Sequence, residues 1–250
     1  MKPILLEFGA FKIYSYGAML ALGFLLASTL AMRTAKKESI PPEKILDFSL
    51  VLLIAGIIGA RMLYVILNWP DFANAPVNII FLNQGGLAIY GGFALGVPIG
   101  IWFVRKSGLP LYKTLDLMSP YVALAQSIGR IGCFLNGCCY GRPTDFFLSV
   151  YSPATDSRVH PTQLYSSLAL LFIFAILRYF YEKRRFDGEI FFYYLLLYSS
   201  SRFFIEILRG DSAVSVLGFT LFQAISLLIF MSSLILYLRR RCLCKSTLSK

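Results

Sequence analysis

Long apolar stretches alternate with short polar blocks along the whole chain. Seven of the stretches are long enough to cross a bilayer as helices: approximately Tyr14–Met32, Ile45–Leu67, Gly85–Val104, Leu115–Asn136, Thr162–Phe180, Glu189–Leu208 and Val216–Leu238. Helices are the form expected for every run, because hydrocarbon offers no partner to an unpaired backbone N–H or C=O and a helix satisfies those groups within itself. The predicted fold class is therefore an all-α integral membrane protein, a single seven-helix domain closed by a basic tail at residues 239–250. No repeat of fixed period and no linker divides it.

Composition agrees with this pattern. Of 250 residues, 57% are hydrophobic and only 15% charged, which excludes an ordinary soluble domain. A net charge of +11 would suit a nucleic-acid binder, but the basic residues sit in short blocks between apolar runs rather than along one stripe. They read as topology signals. Sixteen of them follow spans one, three, five and seven: Arg33, Lys36, Lys37 and Lys44; Arg105, Lys106 and Lys113; Arg178, Lys183, Arg184 and Arg185; Arg239, Arg240, Arg241, Lys245 and Lys250. Five lie on the other side: Lys2, Lys12, Arg142, Arg158 and Arg209. The positive-inside rule then predicts a cytoplasmic C-terminus and an external N-terminus, and it makes residues 137–161 an external loop. Ala27-Ser-Thr-Leu-Ala31 faintly resembles a signal-peptidase site, but the run before it is long enough to span and basic residues follow it at once.

Three arginines, Arg61, Arg130 and Arg202, fall within or near spans, where a cation costs about 2.5 to 3.5 kcal/mol and calls for a partner. On span four, Arg130, Cys133 and Asn136 recur every three residues and share one helical stripe, with Gly129 and Gly132 permitting close approach of another helix or a ligand. On span six, Arg202, Glu206 and Arg209 share a face, so an intramembrane Arg202–Glu206 ion pair with a snorkelling Arg209 is one expectation. That pair leaves Arg61 and Arg130 unmatched. An anionic ligand would balance the surplus, and guanidinium groups offer phosphate a bidentate geometry. Tyr16 and Tyr90 stand at outer helix ends, a common position for interfacial tyrosines.

Cysteine is an odd five, grouped as Cys133, Cys138 and Cys139 with Cys242 and Cys244 in the tail. This is no disulfide framework, and with a lone histidine in the chain it gives no clear metal-ligand spacing, so no metal is expected. A thiol redox role for Cys138 and Cys139 remains an alternative at this stage.

The motifs resemble those of the bacterial prolipoprotein diacylglyceryl transferases, in the same order from end to end. The likeness includes Tyr16-Gly17, Gly59-Ala-Arg61 with Tyr64, the glycine pairs around Tyr90, the Gly-Arg-x-Gly-x-Phe-x-Asn signature from Gly129 to Asn136, Gly141, the His160-Pro-x-Gln-Leu-Tyr165 run, and Arg202 with Glu206 and Arg209. Three positions depart from the usual family pattern. Tyr90 stands where histidine is common, Cys133 where a second asparagine is usual, and Cys138 where glutamate is usual.

The resemblance implies a seven-helix bundle in the bacterial inner membrane that moves the diacylglyceryl group of phosphatidylglycerol onto the lipobox cysteine of a prolipoprotein, with glycerol phosphate leaving and no cofactor needed. It implies Arg130, Arg202, Tyr90, Asn136, Glu206 and Cys138 as catalytic candidates, and Arg130, Tyr16, Cys133, Gly141, Arg209 and Arg61 as substrate-binding candidates. Two other readings stay open: a related lipid-dependent transferase with another acceptor, and a non-enzymatic lipid transporter or scaffold.

Overall fold

Apolar runs become helices wherever no residue demands a positive φ. In the computed structural model, which describes residues 2–8, 11–73, 75–81, 85–210, 214–216 and 218–248, these are α1 Ser15–Lys37, α2 Pro42–Leu67, a short α3 Trp69–Ala73, α4 Ile89–Lys106, α5 Leu111–Asn136, α6 Thr162–Tyr181, α7 Glu189–Ile207 and α8 Leu221–Leu248. A 3₁₀ turn lies at Pro76–Ile79. Three small antiparallel pairs accompany the helices: β1 Ile4–Phe8 with β2 Phe11–Tyr14, β3 Val150–Ser152 with β4 Ser157–Val159, and β5 Val214–Val216 with β6 Phe219–Thr220.

Among the described residues, α1, α2, α6, α7 and the Leu221–Cys244 part of α8 are long and apolar enough to cross a membrane. The other two long helices, α4 and α5, fall outside that set. Arg105 and Lys106 close α4, while Lys113, Asp116, Gln126 and Arg130 punctuate α5. Large apolar side chains such as Phe172 and Leu228, each 70% exposed, point away from the protein, the expected face for lipid. The molecule is thus a multi-pass helical membrane protein.

Several ends differ from the sequence expectation for local reasons. α4 begins at Ile89 rather than Gly85, because Gly85 and Gly86 adopt φ of 77° and 81°, which an α-helix cannot use. The last helix begins at Leu221 rather than Val216, since β5 and β6 pair first. It then continues through the arginine run to Leu248, so Arg239, Arg240 and Arg241 lie on a helix rather than in an extended tail.

The chain divides into two compact units. One comprises residues 31–114 and is dominated by the α2–α4 pair. There the backbones touch through glycine: a Cβ built on Gly59 would lie 2.3 Å from the Gly91 oxygen, and one on Gly91 would lie 2.1 Å from the Gly59 oxygen.

The other unit comprises residues 1–30 and 115–250. Its core is Ala123 of α5, Leu170, Ile173, Leu177 and Tyr181 of α6, and Ile190 and Tyr194 of α7. Polar cross-links add register. Ser127 and Ser167 exchange hydroxyl-to-carbonyl hydrogen bonds of 2.8 and 2.9 Å between α5 and α6. The buried Asp116 carboxylate of α5 accepts from the Gly188 and Phe191 N–H groups at 2.7 and 2.8 Å, capping α7, whose N-cap glycine has no side chain to do so.

Candidate functional site: an arginine and thiol cluster

The end of α7 gathers charge. Arg202 Nη2 lies 2.8 Å from Glu206 Oε2, the i,i+4 pair expected from the sequence. Arg209 does not simply snorkel: its Nε lies 3.9 Å from the same oxygen, and its side chain is 11% exposed. The Glu206 carboxylate is fully buried, and its second oxygen accepts from the Thr220 hydroxyl at 3.3 Å. Thr220 also accepts from the Gln223 N–H, while Gln223 Oε1 accepts from the Thr220 N–H, so a Thr-x-x-Gln capping box opens α8 and fixes the hydroxyl that meets Glu206. Phe222 lies beside both cations, with Arg202 Cζ 4.9 Å and Arg209 Cζ 6.0 Å from its ring centre.

This set leaves donors over. Arg202 Nη1 is buried and meets no hydrogen-bond partner among the described residues. Arg130, half-buried on α5, meets none either, and its charge acts on Arg202. Among the described residues, Glu206 therefore serves Arg202 and Arg209, and Arg130 has no carboxylate partner. Open guanidinium donors are the groups that suit an oxyanion.

Beyond Arg130, α5 ends in a Schellman motif. The Gly137 N–H donates to the Phe134 carbonyl and the Cys138 N–H to the Cys133 carbonyl, both at 3.2 Å, with Gly137 at φ 78°. This turn brings Cys133, in the last turn of α5, against Cys138. Cys139 follows at φ 62°, which turns it back toward the same place, and all three sulfurs lie within 4.8 Å of one another. α6 pins the turn: Gln163 Nε2 donates to the Cys138 carbonyl at 2.7 Å and the Thr162 hydroxyl to the Cys139 carbonyl at 2.8 Å. The adjoining Cys133 and Cys138 thiols, with the positive charges of Arg209 and Arg130, hold the Cys139 thiol below its ordinary range. Asn136 is the last residue of α5, two before Cys138, and the Tyr16 ring packs beside Gly132, where an added Cβ would lie 3.3 Å from Cδ2.

Gly141 explains how Arg209 reaches this cluster. Its N–H donates to the His160 carbonyl at 3.0 Å, the Arg142 N–H to the Leu208 carbonyl at 2.8 Å and the Gly210 N–H to the Tyr140 carbonyl at 3.3 Å. A Cβ at Gly141 would fall 2.6 Å from the His160 carbonyl oxygen and 2.8 Å from that of Leu208. The glycine lets the backbone of the loop lie against the end of α7.

The remaining two candidates belong to the unit formed by residues 31–114. Tyr90 sits in the first turn of α4 and is 41% exposed. Arg61 is buried and its five N–H groups are all taken by backbone carbonyls: Nε by Ile79, Nη1 by Gly85 and Gly86, Nη2 by Asn78 and Phe81, at 2.7 to 2.9 Å. Its ring neighbours are Tyr64 and Phe72. The partner that the sequence lacked for Arg61 is the loop after α3.

Sequence reasoning singled out neither Thr162 and Gln163 as clamps nor Thr220 as the partner of Glu206. The Thr220-x-x-Gln223 spacing and Gly137 after a helix were the available signals.

Lipid-facing apolar helices together with arginines that keep open donors define a multi-pass membrane protein with a cationic cluster. Comparison with known proteins places it more narrowly. The sequence profile of the prolipoprotein diacylglyceryl transferase family matches residues 3–239. A protein of Clostridium tetani named phosphatidylglycerol–prolipoprotein diacylglyceryl transferase is 38% identical over 232 residues, 91% of this chain and 93% of the relative. Relatives of the same name in Lactobacillus johnsonii and Trichormus variabilis are each 36% identical, over 96% and 84% of this chain and 91% and 79% of their own. The chain belongs to the prolipoprotein diacylglyceryl transferase family.

Proposed function

We propose that this protein transfers the diacylglyceryl group of phosphatidylglycerol to a prolipoprotein cysteine, the reaction for which its relatives are named. Family membership over nearly the whole chain favours this over the transporter or scaffold reading. The observation that carries the chemistry is the pair of open donors, Arg202 Nη1 and the Arg130 guanidinium.

In the proposed reaction the acceptor sulfur forms a bond to the glyceryl carbon of the donor, the bond from that carbon to the phosphate oxygen breaks, and glycerol phosphate departs with the electron pair. The acceptor's thiol proton goes to a protein base. Negative charge grows on the leaving phosphate, so guanidinium groups fixed beside it stabilise the transition state more than the ground state. Arg130 and Arg202 take that role. Glu206 holds Arg202 and Arg209 in place, and Tyr16, Cys133, Asn136 and Gly141 shape the surroundings of the donor head group. We assign proton acceptance to the thiol pair Cys138 and Cys139: position 138 carries glutamate in the common family pattern, and the Cys139 sulfur, held below its ordinary range, is the thiolate that takes the proton. Tyr90 is assigned to the same chemistry from the resemblance alone. The carbonyl clamp around Arg61 supports a positioning role for that residue instead of phosphate contact.

We further infer that α4 and α5 complete seven crossings of the bacterial inner membrane, with the N-terminus and the 137–161 loop outside. The sixteen-to-five division of basic residues supports this, as does the lipobox acceptor's need to meet the site at the outer face. In intact cells, maleimide that cannot cross the membrane should then leave Cys242 unlabelled; labelling would reverse the topology.

The direct test uses the purified protein in phosphatidylglycerol vesicles with a lipobox peptide. Stoichiometric glycerol phosphate release and a diacylglyceryl mass gain on the peptide cysteine are expected, with both lost in Arg130→Ala. Glycerol phosphate release without peptide modification would point to another acceptor.

A further inference from the structure

We propose that Cys133, Cys138 and Cys139 form a three-thiolate site for a thiophilic d10 metal ion, of the zinc, cadmium or copper(I) kind. From sequence alone no metal is expected, because a fourth ligand of the usual spacing is missing. Three sulfurs in a trigonal arrangement need none. Around an ion with metal–sulfur bonds of about 2.3 Å, such sulfurs stand about 4 Å apart, and an open fourth position can hold water. The three here lie within 4.8 Å of one another, so closing on an ion takes small side-chain rotations and no backbone rearrangement.

The arrangement is built rather than incidental. The Schellman turn sets Cys138 against Cys133, and the left-handed backbone at Cys139, uncommon for a residue with a side chain, brings in the third sulfur. Both turn carbonyls are then held by Gln163 and Thr162, each 1% exposed. Little conformational freedom remains to be lost on binding. All three cysteines are partly exposed, which gives an ion a way in.

Charge and softness decide the class of ion. Binding a divalent ion forms three metal–sulfur bonds and releases the protons that the three sulfurs still carry, leaving a centre of three thiolates with net charge −1. Arg209 and Arg130 place positive charge on this cluster, which offsets that anion where an unpaired one would be costly. Sulfur donors favour zinc, cadmium and copper(I) over magnesium or calcium, whose chemistry is with oxygen. A further consequence rests on the functional reading above: an ion that occupies the Cys138 and Cys139 sulfurs denies them to a proton, so the loaded protein should be inhibited.

The test uses the full chain in detergent with Cys242→Ser and Cys244→Ser, so that the tail thiols do not count, and cadmium(II) as the probe. One ion per protein is expected, with a sulfur-to-cadmium charge-transfer band, release of protons on binding, and affinity lower by about tenfold or more in each of Cys133→Ser, Cys138→Ser and Cys139→Ser. In the unaltered protein, cadmium should protect these three cysteines from maleimide while leaving Cys242 reactive, a readout that needs no variant. Absence of the band, affinity unchanged in the serine variants, or unprotected thiols would each overturn the site. In the vesicle assay, cadmium should stop transfer, and a chelator should restore it. Tight binding with undiminished transfer would uphold the metal site and remove Cys138 and Cys139 from the reaction.

Discussion

Arg61 and Arg130 look alike in the sequence, each an arginine within two residues of a glycine in an apolar run, yet the structure treats them oppositely. Around Arg61 every donor closes on a carbonyl of residues 78–86, so the cation is spent on holding a loop. Around Arg130 no described residue supplies a partner, and the neighbouring Arg202 keeps one terminal nitrogen open. A buried cation in membrane protein is thus not one signal but two. The difference lies in whether its hydrogen-bond capacity is used up within the fold or left for a ligand.

Removing each side chain separates the two cases. Arg61→Ala should give the largest change in stability, because five carbonyls lose a charged donor at once. Each unmet buried acceptor costs about 1 to 3 kcal/mol, and partial access of water to the loop keeps the total to about 3 to 5 kcal/mol. The measurement is thermal unfolding in detergent alongside transfer per folded molecule. Turnover should fall only as far as folded protein falls. A well-folded Arg61→Ala protein with no turnover would break the comparison by making Arg61 a substrate contact. Arg130→Ala should do the reverse, leaving unfolding nearly unchanged while lowering turnover by about 100-fold or more, the size typical for losing one donor to a developing oxyanion. Arg130→Ala with near-normal turnover would remove the phosphate from this site.

How much of this was legible beforehand follows the range of each interaction. Helices came through from apolar run length, and Arg202–Glu206 from its i,i+4 spacing, since both depend on residues a turn or less apart. Arg61 was misleading because its acceptors are main-chain oxygens 17 to 25 residues away, and a carbonyl leaves no mark on the sequence. The thiol cluster was half legible. Glycine after a helix announces the turn that joins Cys133 to Cys138, but nothing in the residue types foretells the left-handed Cys139 or the clamps from α6. Gly141 likewise read only as a family letter until His160 and Leu208 were seen on either side of it.

Gly141→Ala sharpens the comparison from the open side, since it perturbs the arginine cluster without touching a cation. The new methyl meets backbone oxygens on both sides, which cannot rotate away, so the loop must shift at a cost of about 1 to 3 kcal/mol. Arg209 is carried by the displaced segment, and donor binding should weaken. A rise in KM for phosphatidylglycerol larger than the fall in kcat is expected in the vesicle assay. Equal loss in both, with unfolding unchanged, would instead tie Gly141 to the chemical step.

The smallest effect should come from Thr220→Val, which keeps shape and removes one oxygen. That oxygen accepts from the Gln223 N–H and donates to Glu206, so its loss weakens both the start of α8 and the anchoring of the carboxylate between Arg202 and Arg209. An N-cap of this kind is worth about 1 kcal/mol, and unfolding should register about that much. Turnover should fall modestly, because Glu206 keeps its ion pair with Arg202 and the open nitrogen of that arginine stays where it is. If turnover instead dropped as far as in Arg130→Ala, the aim of Arg202 would depend on the capping box of α8. The open site would then be as closely tied to its surroundings as Arg61 is to its loop.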